Sequence, residues 1–391
     1  MSKSFYHFNI KQSFLIPLFI FISIIDIPYA QRKRARDLGI EIGIFQTGKW
    51  NAITDVKGVE VGHETIIKGD NVRTGVTIIK PHSGDLYKDK VMAAVHVING
   101  FGKAIGFTQV NELGTIETPI ALTNTLNVFL VGDAIVEYMI SNNSKIRSVN
   151  PVVGETNDSR LNDIQGRHIK KRHVLAAINN SSSGPVKEGS IGAGTGTRAL
   201  GFKGGIGTAS RVLSKDLGGF TIGVLVQSNF GSSLVINGAP VGRELNKSAF
   251  SSSIPYDNDE GSCMIVIATD APLSNRNLKR VAKRAVIGMG KVGGFVSNGS
   301  GDYVIAFTTF RPLSKQKMTT TRKEINNNAM NGIFLATVEA TEEAILNSLF
   351  MAESVSSKYG TAEALPIKET LKILKKYNSL NWNKELYPWK K

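Results

Sequence analysis

Six histidines, His7, His63, His82, His96, His168 and His173, are the residues that would first suggest metal chemistry. They form no HExxH pair or comparable ligand spacing, so no catalytic metal or other cofactor is expected. The chain also lacks a GxSxG elbow, and no histidine stands beside a promising serine, which removes the usual ways of activating a serine hydroxyl. A serine can instead use its own α-amino group as base, because that group's ordinary pKa of roughly 8 leaves part of it neutral near neutral pH. Such a serine must first become a chain terminus by internal cleavage. One junction suits this: the polar stretch 246–260, NKSAFSSSIPYDNDE, runs into Gly261-Ser262 and then directly into the apolar run Cys263 to Thr269. An exposed loop entering a buried strand allows the backbone at the junction to be bent and cut without unfolding the core. A plain domain linker would share that composition.

The elements that must position such a serine follow from periodicity. Phe220 to Val226, Cys263 to Thr269 and Tyr303 to Thr308 are short, β-branched or aromatic apolar runs that read as buried strands. Ser274 is placed to cap a helix with Leu278, Val281, Ala282, Ala285 and Val286 on one face and Lys279, Arg280, Lys283 and Arg284 on the other. A second helix is expected to start at Thr341 as cap, with Glu342 and Glu343 in its first turn and Ile345, Leu346, Leu349 and Phe350 buried. Glycine turns between strand-like and helix-like stretches give a mixed α/β class. The glycine cluster Gly192 to Ser210 has neither the Walker lysine spacing nor a GxGxxG opening a helix, so it reads as close backbone packing around a site.

With 391 residues, 41% hydrophobic content and 39 glycines, the chain can bury a sizeable core. Residues 1–30 differ from the rest: Lys3 and Lys11 precede the apolar run Phe14 to Ile25, and Pro28 and Ala30 follow it. The run is too short to span a bilayer and Pro17 interrupts it, so it reads as a cleavable export signal and the protein as periplasmic or secreted. Cys263 is the one cysteine, which excludes an intramolecular disulfide framework. The net charge of +15 lies in scattered clusters, Arg32-Lys33-Arg34, Lys170-Lys171-Arg172 and Lys375-Lys376, read as solvated surface. Without aromatic interleaving they do not point to nucleic acid.

Several ordered motifs between about Arg34 and Phe350, GVEVGH, RTGVT, PIALTNT, PVVGETNDSRLNDI, KGGIGTASR, VLVQSNFG, DNDEGSCMIVIATDAPL and SNGSGDYVIAF, closely resemble the DmpA-type L-aminopeptidase/D-Ala-esterase family, which includes β-peptidyl aminopeptidases. The resemblance implies a four-layer αββα sandwich of the N-terminal nucleophile kind. It also implies self-cleavage at Gly261-Ser262 into chains 31–261 and 262–391, and assembly of the cut pairs into a homo-oligomer. Carried over residue by residue, Ser262 is the nucleophile, Asn229 the oxyanion donor, and Ser300 with Asp302 the pair that orients the Ser262 amine and hydroxyl. Glu155 falls on the carboxylate that holds a substrate's free ammonium. This chain has Asp302 where some members carry glutamate, and Asn157 where some carry an aromatic residue, so pocket shape and reach are its own. The implied substrates are short peptides, amides or esters with a free amino group, D-alanine or β-amino-acid derivatives among them. An acyltransferase on the same fold and a non-catalytic scaffold of the cell envelope are the competing classes.

Overall fold

Once Ser262–Thr269 is extended, its unbroken apolar run divides by parity: Cys263, Ile265 and Ile267 face one core, and Met264, Val266 and Ala268 face another. A strand buried on both faces must lie between two layers, and that requirement organises the molecule. The computed structural model describes residues 1–2, 32–248, 261–311, 314–315 and 318–380. Residues 3–30 of the expected signal and 249–260 of the expected loop therefore lie outside the described residues.

A six-stranded sheet carries the order β4-β3-β12-β11-β10-β9. Its strands are β3 (Val91–Gly100), β4 (Thr115–Ile116), β9 (Gly205–Val212), β10 (Thr221–Asn229), β11 (Ser262–Thr269) and β12 (Gly301–Thr308). A four-stranded sheet is ordered β1-β2-β5-β6, built from β1 (Glu60–Lys68), β2 (Val72–Lys80), β5 (Ile120–Asn124) and β6 (Val152–Thr156). Ile79, Ile120, Leu122 and Val152 of the smaller sheet meet Leu225, Met264, Val266 and Ile305 of the larger one in the central core. Helices α2 (Val128–Asn142) and α3 (Lys171–Asn179) cover the outer face of the small sheet, where Val131, Ile135, Val174 and Ile178 pack on Val76, Ile78 and Val153. On the outer face of the large sheet lie α5 (Asn275–Lys291) and α6 (Asn331–Phe350), through Leu278, Val281, Ala340 and Ala344. The result is the four-layer αββα stack expected. Two shorter helices, α1 (Phe107–Leu113) and α4 (Val241–Glu244), and a small hairpin of β7 (Arg198–Ala199) and β8 (Phe202–Lys203) complete the part that surrounds the site.

β11 and β12 are parallel, as are β5 and β6. In each case a helix, α5 or α2, makes the crossover that parallel neighbours require. Ser274 caps α5 and accepts from the Asn277 amide, as its position implied. Helix α6 lies so close to the sheet that a Cβ on Gly207 would stand 2.0 Å from the Ala344 carbonyl oxygen, which is why the KGGIGTASR segment reads as close packing.

Two expectations need correction. Thr341 does not cap a helix: α6 begins ten residues earlier, at Asn331, and the Thr341 hydroxyl donates to the Thr337 carbonyl in mid-helix. Glu342 and Glu343 are buried, not first-turn surface residues; Glu342 pairs with Lys291, and Glu343 with Arg211 and Arg36. The sequence pattern of cap and acidic first turn was satisfied by buried ion pairing instead. Arg32 and Arg34 are likewise not free surface charge. Arg32 donates to the Ala352 and Leu365 carbonyls and Arg34 pairs with Glu188.

Candidate active site

The last residue of β10 and the first of β11 are Asn229 and Ser262, and the antiparallel ladder sets them directly opposite one another. On the other side of Ser262 the parallel ladder sets Gly301, the first residue of β12. Three strands of the large sheet thus end together, and the polar residues that interrupt their apolar runs collect at that edge. By parity Ser262 follows Met264 and Asn229 follows Leu225, so both side chains belong to the face between the sheets.

The Ser262 hydroxyl donates to the carbonyl oxygen of Gly261 at 2.5 Å, and the Gly301 amide donates to the same oxygen at 3.1 Å. The bond that would be cut therefore has its carbonyl polarised by a backbone N–H with the serine oxygen lying against it. The side-chain amide of Asn229 is held at both ends: Oδ1 accepts from the Arg198 amide at 2.9 Å, and Nδ2 donates to the Asn157 carbonyl at 3.0 Å. Nδ2 keeps a second N–H for an oxygen that develops charge at Ser262.

Ser300 and Asp302 are buried just behind this edge. A Cβ on Gly261 would lie 3.3 Å from the Ser300 hydroxyl oxygen, so Ser300 abuts Gly261. Asp302 stands opposite Cys263 and not Ser262, and a β-bulge follows it. Burial pushes its carboxyl up to about 6, against the opposing pull of the neighbouring Ser300 hydroxyl and Cys263 amide. Those two groups favour the carboxylate electrostatically without closing a well-aligned hydrogen bond, and among the described residues the Ser300 oxygen and both Asp302 oxygens have no such partner. Buried donors and acceptors left in this state are open to a further hydrogen-bonding partner. The structure thus brings Ser262, Asn229, Ser300 and Gly301 together at one sheet edge and sets Asp302 beside Cys263, the next pair along.

Glu155 ends one residue short of the C-terminus of β6 and is buried. The Thr125 hydroxyl donates to its Oε2 and the Lys103 amide to its Oε1 at 3.0 Å. Burial raises its proton affinity, and those two donors together with the Lys103 charge oppose the rise. A Cβ on Gly102 would meet Tyr303 at 2.8 Å and Glu155 Oε1 at 3.0 Å, so Gly102 leaves open the space that the carboxylate and the phenol share. A carboxylate fixed by two donors in such a space is suited to an ammonium group. Sequence reasoning did not single out Tyr303, Thr125, the Gly301 amide or the Arg198 amide; the two backbone donors carry no side-chain signal that could have pointed to them. Nor did it single out Asp158 and Lys203, although both lay inside quoted motifs.

A serine heads a central strand of an αββα stack, and together with the matches to known proteins this makes the chain a serine aminopeptidase of the N-terminal nucleophile class. The model of peptidase family S58 matches residues 51–362, and the chain belongs to that family. It is 41% identical over 374 residues to β-peptidyl aminopeptidase BapA of Sphingosinicella microcystinivorans, covering 90% of this chain and 94% of that one. Among solved structures it resembles the L-aminopeptidase D-Ala-esterase/amidase of Ochrobactrum anthropi, described as a variant of the Ntn hydrolase fold, with 37% identity and a TM-score of 0.81 over 89% of this chain and 99% of the other. The PH0078 protein of Pyrococcus horikoshii matches with 46% identity and a TM-score of 0.81, over 88% and 99% of the two chains.

Proposed function

We propose that this S58 aminopeptidase is exported, cuts itself between Gly261 and Ser262, and then removes N-terminal residues from short peptides, amides or esters through an acyl-enzyme on Ser262. β-Amino acids are included among those residues, in keeping with the name of the BapA relative. The observation that carries the reading is the Ser262 hydroxyl set against a Gly261 carbonyl already held by the Gly301 amide.

In self-cleavage the hydroxyl oxygen adds to the Gly261 carbonyl carbon, the Gly261–Ser262 C–N bond breaks, and the nitrogen takes a proton and becomes the Ser262 amine. Water then hydrolyses the ester that remains. In turnover that amine accepts the hydroxyl proton as the oxygen attacks a substrate carbonyl and returns a proton to the leaving group. Asn229 Nδ2 donates to the developing oxyanion, Ser300 and Asp302 hold the amine, and Glu155 binds the ammonium of the residue being removed. The cut pairs assemble into a homo-oligomer.

Intact-mass measurement of the purified protein tests this. Two chains of about 25 and 14 kDa, 31–261 and 262–391, are expected at the ordinary scale of domain halves, the smaller beginning Ser-Cys-Met-Ile. Ser262→Ala should yield one uncut, inactive chain. A fully active uncut species, or normal cutting in Ser262→Ala, overturns the reading.

A further inference from the structure

Where the Asn229 amide points is decided by two backbone groups, the Arg198 N–H and the Asn157 C=O. Arg198 opens the two-residue strand β7, paired with Lys203 of β8 in a short hairpin outside the two large sheets, and Asn157 follows the last residue of β6. Segments with so little ladder of their own do not keep an atom in place to a few tenths of an ångström unless something anchors them. Each segment is anchored by a fully buried charged side chain. Lys203 donates from Nζ to the Gly194 carbonyl at 2.8 Å and the Gly204 carbonyl at 2.7 Å, so one ammonium ties together the two ends of the glycine-rich turn that presents Arg198. Within that turn the Thr197 hydroxyl also donates to Gly194 and the Gly204 amide to Thr197.

On the other side, Asp158 directly follows Asn157. Its Oδ2 accepts from the Thr74 hydroxyl at 2.6 Å and from Asn124 at 3.2 Å, and its Oδ1 from Asn162 at 2.9 Å. Asp158 packs against the turn that Lys203 ties, at Gly196, where a Cβ would lie 2.8 Å from Asp158 Cβ. Neither side chain belongs to an ion pair among the described residues, although each feels the cost of burial: Lys203 is lowered to about 7, partly offset by the Asp158 charge, and Asp158 is raised to about 6. Buried charges without an opposite charge in contact are expensive to keep even when hydrogen-bonded, and a hydrophobic pair of like volume would serve packing as well.

We propose that Lys203 and Asp158 are positioning residues for the oxyanion donor, acting through the Arg198 and Asn157 backbone groups that orient the Asn229 amide. The proposal rests on the reading of Asn229 as that donor. A carbonyl-binding ammonium on one segment and a carboxylate on the next hold the two jaws of a clamp at a fixed separation, and the amide between them has one orientation.

A double-mutant cycle tests the clamp, with kcat and KM measured on a free-amine amide, or the rate of self-cleavage where a variant remains uncut. Asn229→Ala is expected to lower the rate by about 10² to 10³, as for loss of one oxyanion donor. Lys203→Met should lower kcat by about 10- to 100-fold, the scale of a displaced catalytic group, with KM nearly constant. In the Asn229→Ala background the same change should lower kcat by less than about threefold, because the group it positions is gone. Asp158→Asn, which keeps shape and most hydrogen bonds, should show the same coupling and decides the matter if Lys203→Met fails to fold. Full additivity in the double variants, or single variants with parental kcat, overturns the positioning role and leaves Asn229 as donor. A parental kcat in Asn229→Ala removes the donor reading itself, and the clamp with it.

Discussion

At the residue scale, the proposed self-cleavage and the proposed turnover make different demands on the site. Cutting the chain at Gly261 involves no free ammonium on the acyl side, whereas an aminopeptidase substrate always brings one. Glu155, buried and fixed by Thr125 and the Lys103 amide, has chemistry suited only to the second. Glu155→Gln keeps the shape and removes the charge. It is expected to lower kcat/KM by about 10- to 150-fold, the equivalent of about 1.5 to 3 kcal/mol for a hydrogen bond to a charged group, while two-chain maturation proceeds normally. The comparison to make is between a free-amine amide and its N-acetylated twin: the parent should strongly prefer the free amine, and the variant should lose most of that preference. Equal preference in both proteins would leave Glu155 as a structural carboxylate.

At the element scale, the large sheet is held to α6 by a buried charge cluster as well as by apolar packing. Arg211 on β9 pairs through Nε with Glu339 at 3.0 Å and through Nη2 with Glu343 at 2.7 Å, and Arg36 reaches the same Glu343 oxygen at 2.7 Å. Burial alone would raise the Glu343 carboxyl, but Arg211, Arg36 and Asn51 outweigh it and hold it down at about 2. Because the folded pKa lies below the unfolded one, the group contributes stability that is fully present above the ordinary carboxylate range, near 4.5, and is lost as pH falls toward 2. Glu343→Gln removes one partner of a buried pair and should destabilise the fold by about 3 to 5 kcal/mol near neutral pH. Thermal melting of parent and variant from pH 7 down to pH 3 checks both points: the gap between them should narrow as acid titrates the parent. Equal melting temperatures at pH 7 would show that Glu339 alone satisfies Arg211.

At the scale of the whole molecule, the position of Gly261 makes the two expected chains interlock. Residues beyond it supply β11 and β12, the middle of the large sheet, and also α5 and α6; residues before it supply β10 and β9 on one side and β3 and β4 on the other. Neither chain could close the large sheet or its helix layer without the other. The cut protein should therefore elute as one species under native conditions and run as two bands only in denaturant. Each chain expressed alone should lack a cooperative melting transition, and mixing the two after joint refolding should restore it. A separately folded smaller chain would contradict this account of how the sheet is assembled.

How much of this was legible beforehand varies with the range of the interaction. The sequence by itself determined the buried strands, the capped helix at Ser274 and the strand that starts at Ser262, and through its motifs it pointed to Asn229, Ser300, Asp302 and Glu155 as the candidate site. These features rest on local periodicity, on turn and cap chemistry, or on motif resemblance, all of which lie within a few residues of each other. Only the tertiary structure decided that Glu342 and Glu343 are buried partners of lysine and arginine, because an acidic pair after a threonine looks the same whether a helix begins there or passes through. It alone set Asp302 beside Cys263 and not Ser262, since the register between β11 and β12 is fixed only when the two strands pair. It alone placed the Gly301 amide on the Gly261 carbonyl, the Arg198 amide on Asn229 and the Lys203 ammonium on two glycine carbonyls, because backbone donors have no side-chain signature and their partners come together only when strands distant in sequence form one sheet edge.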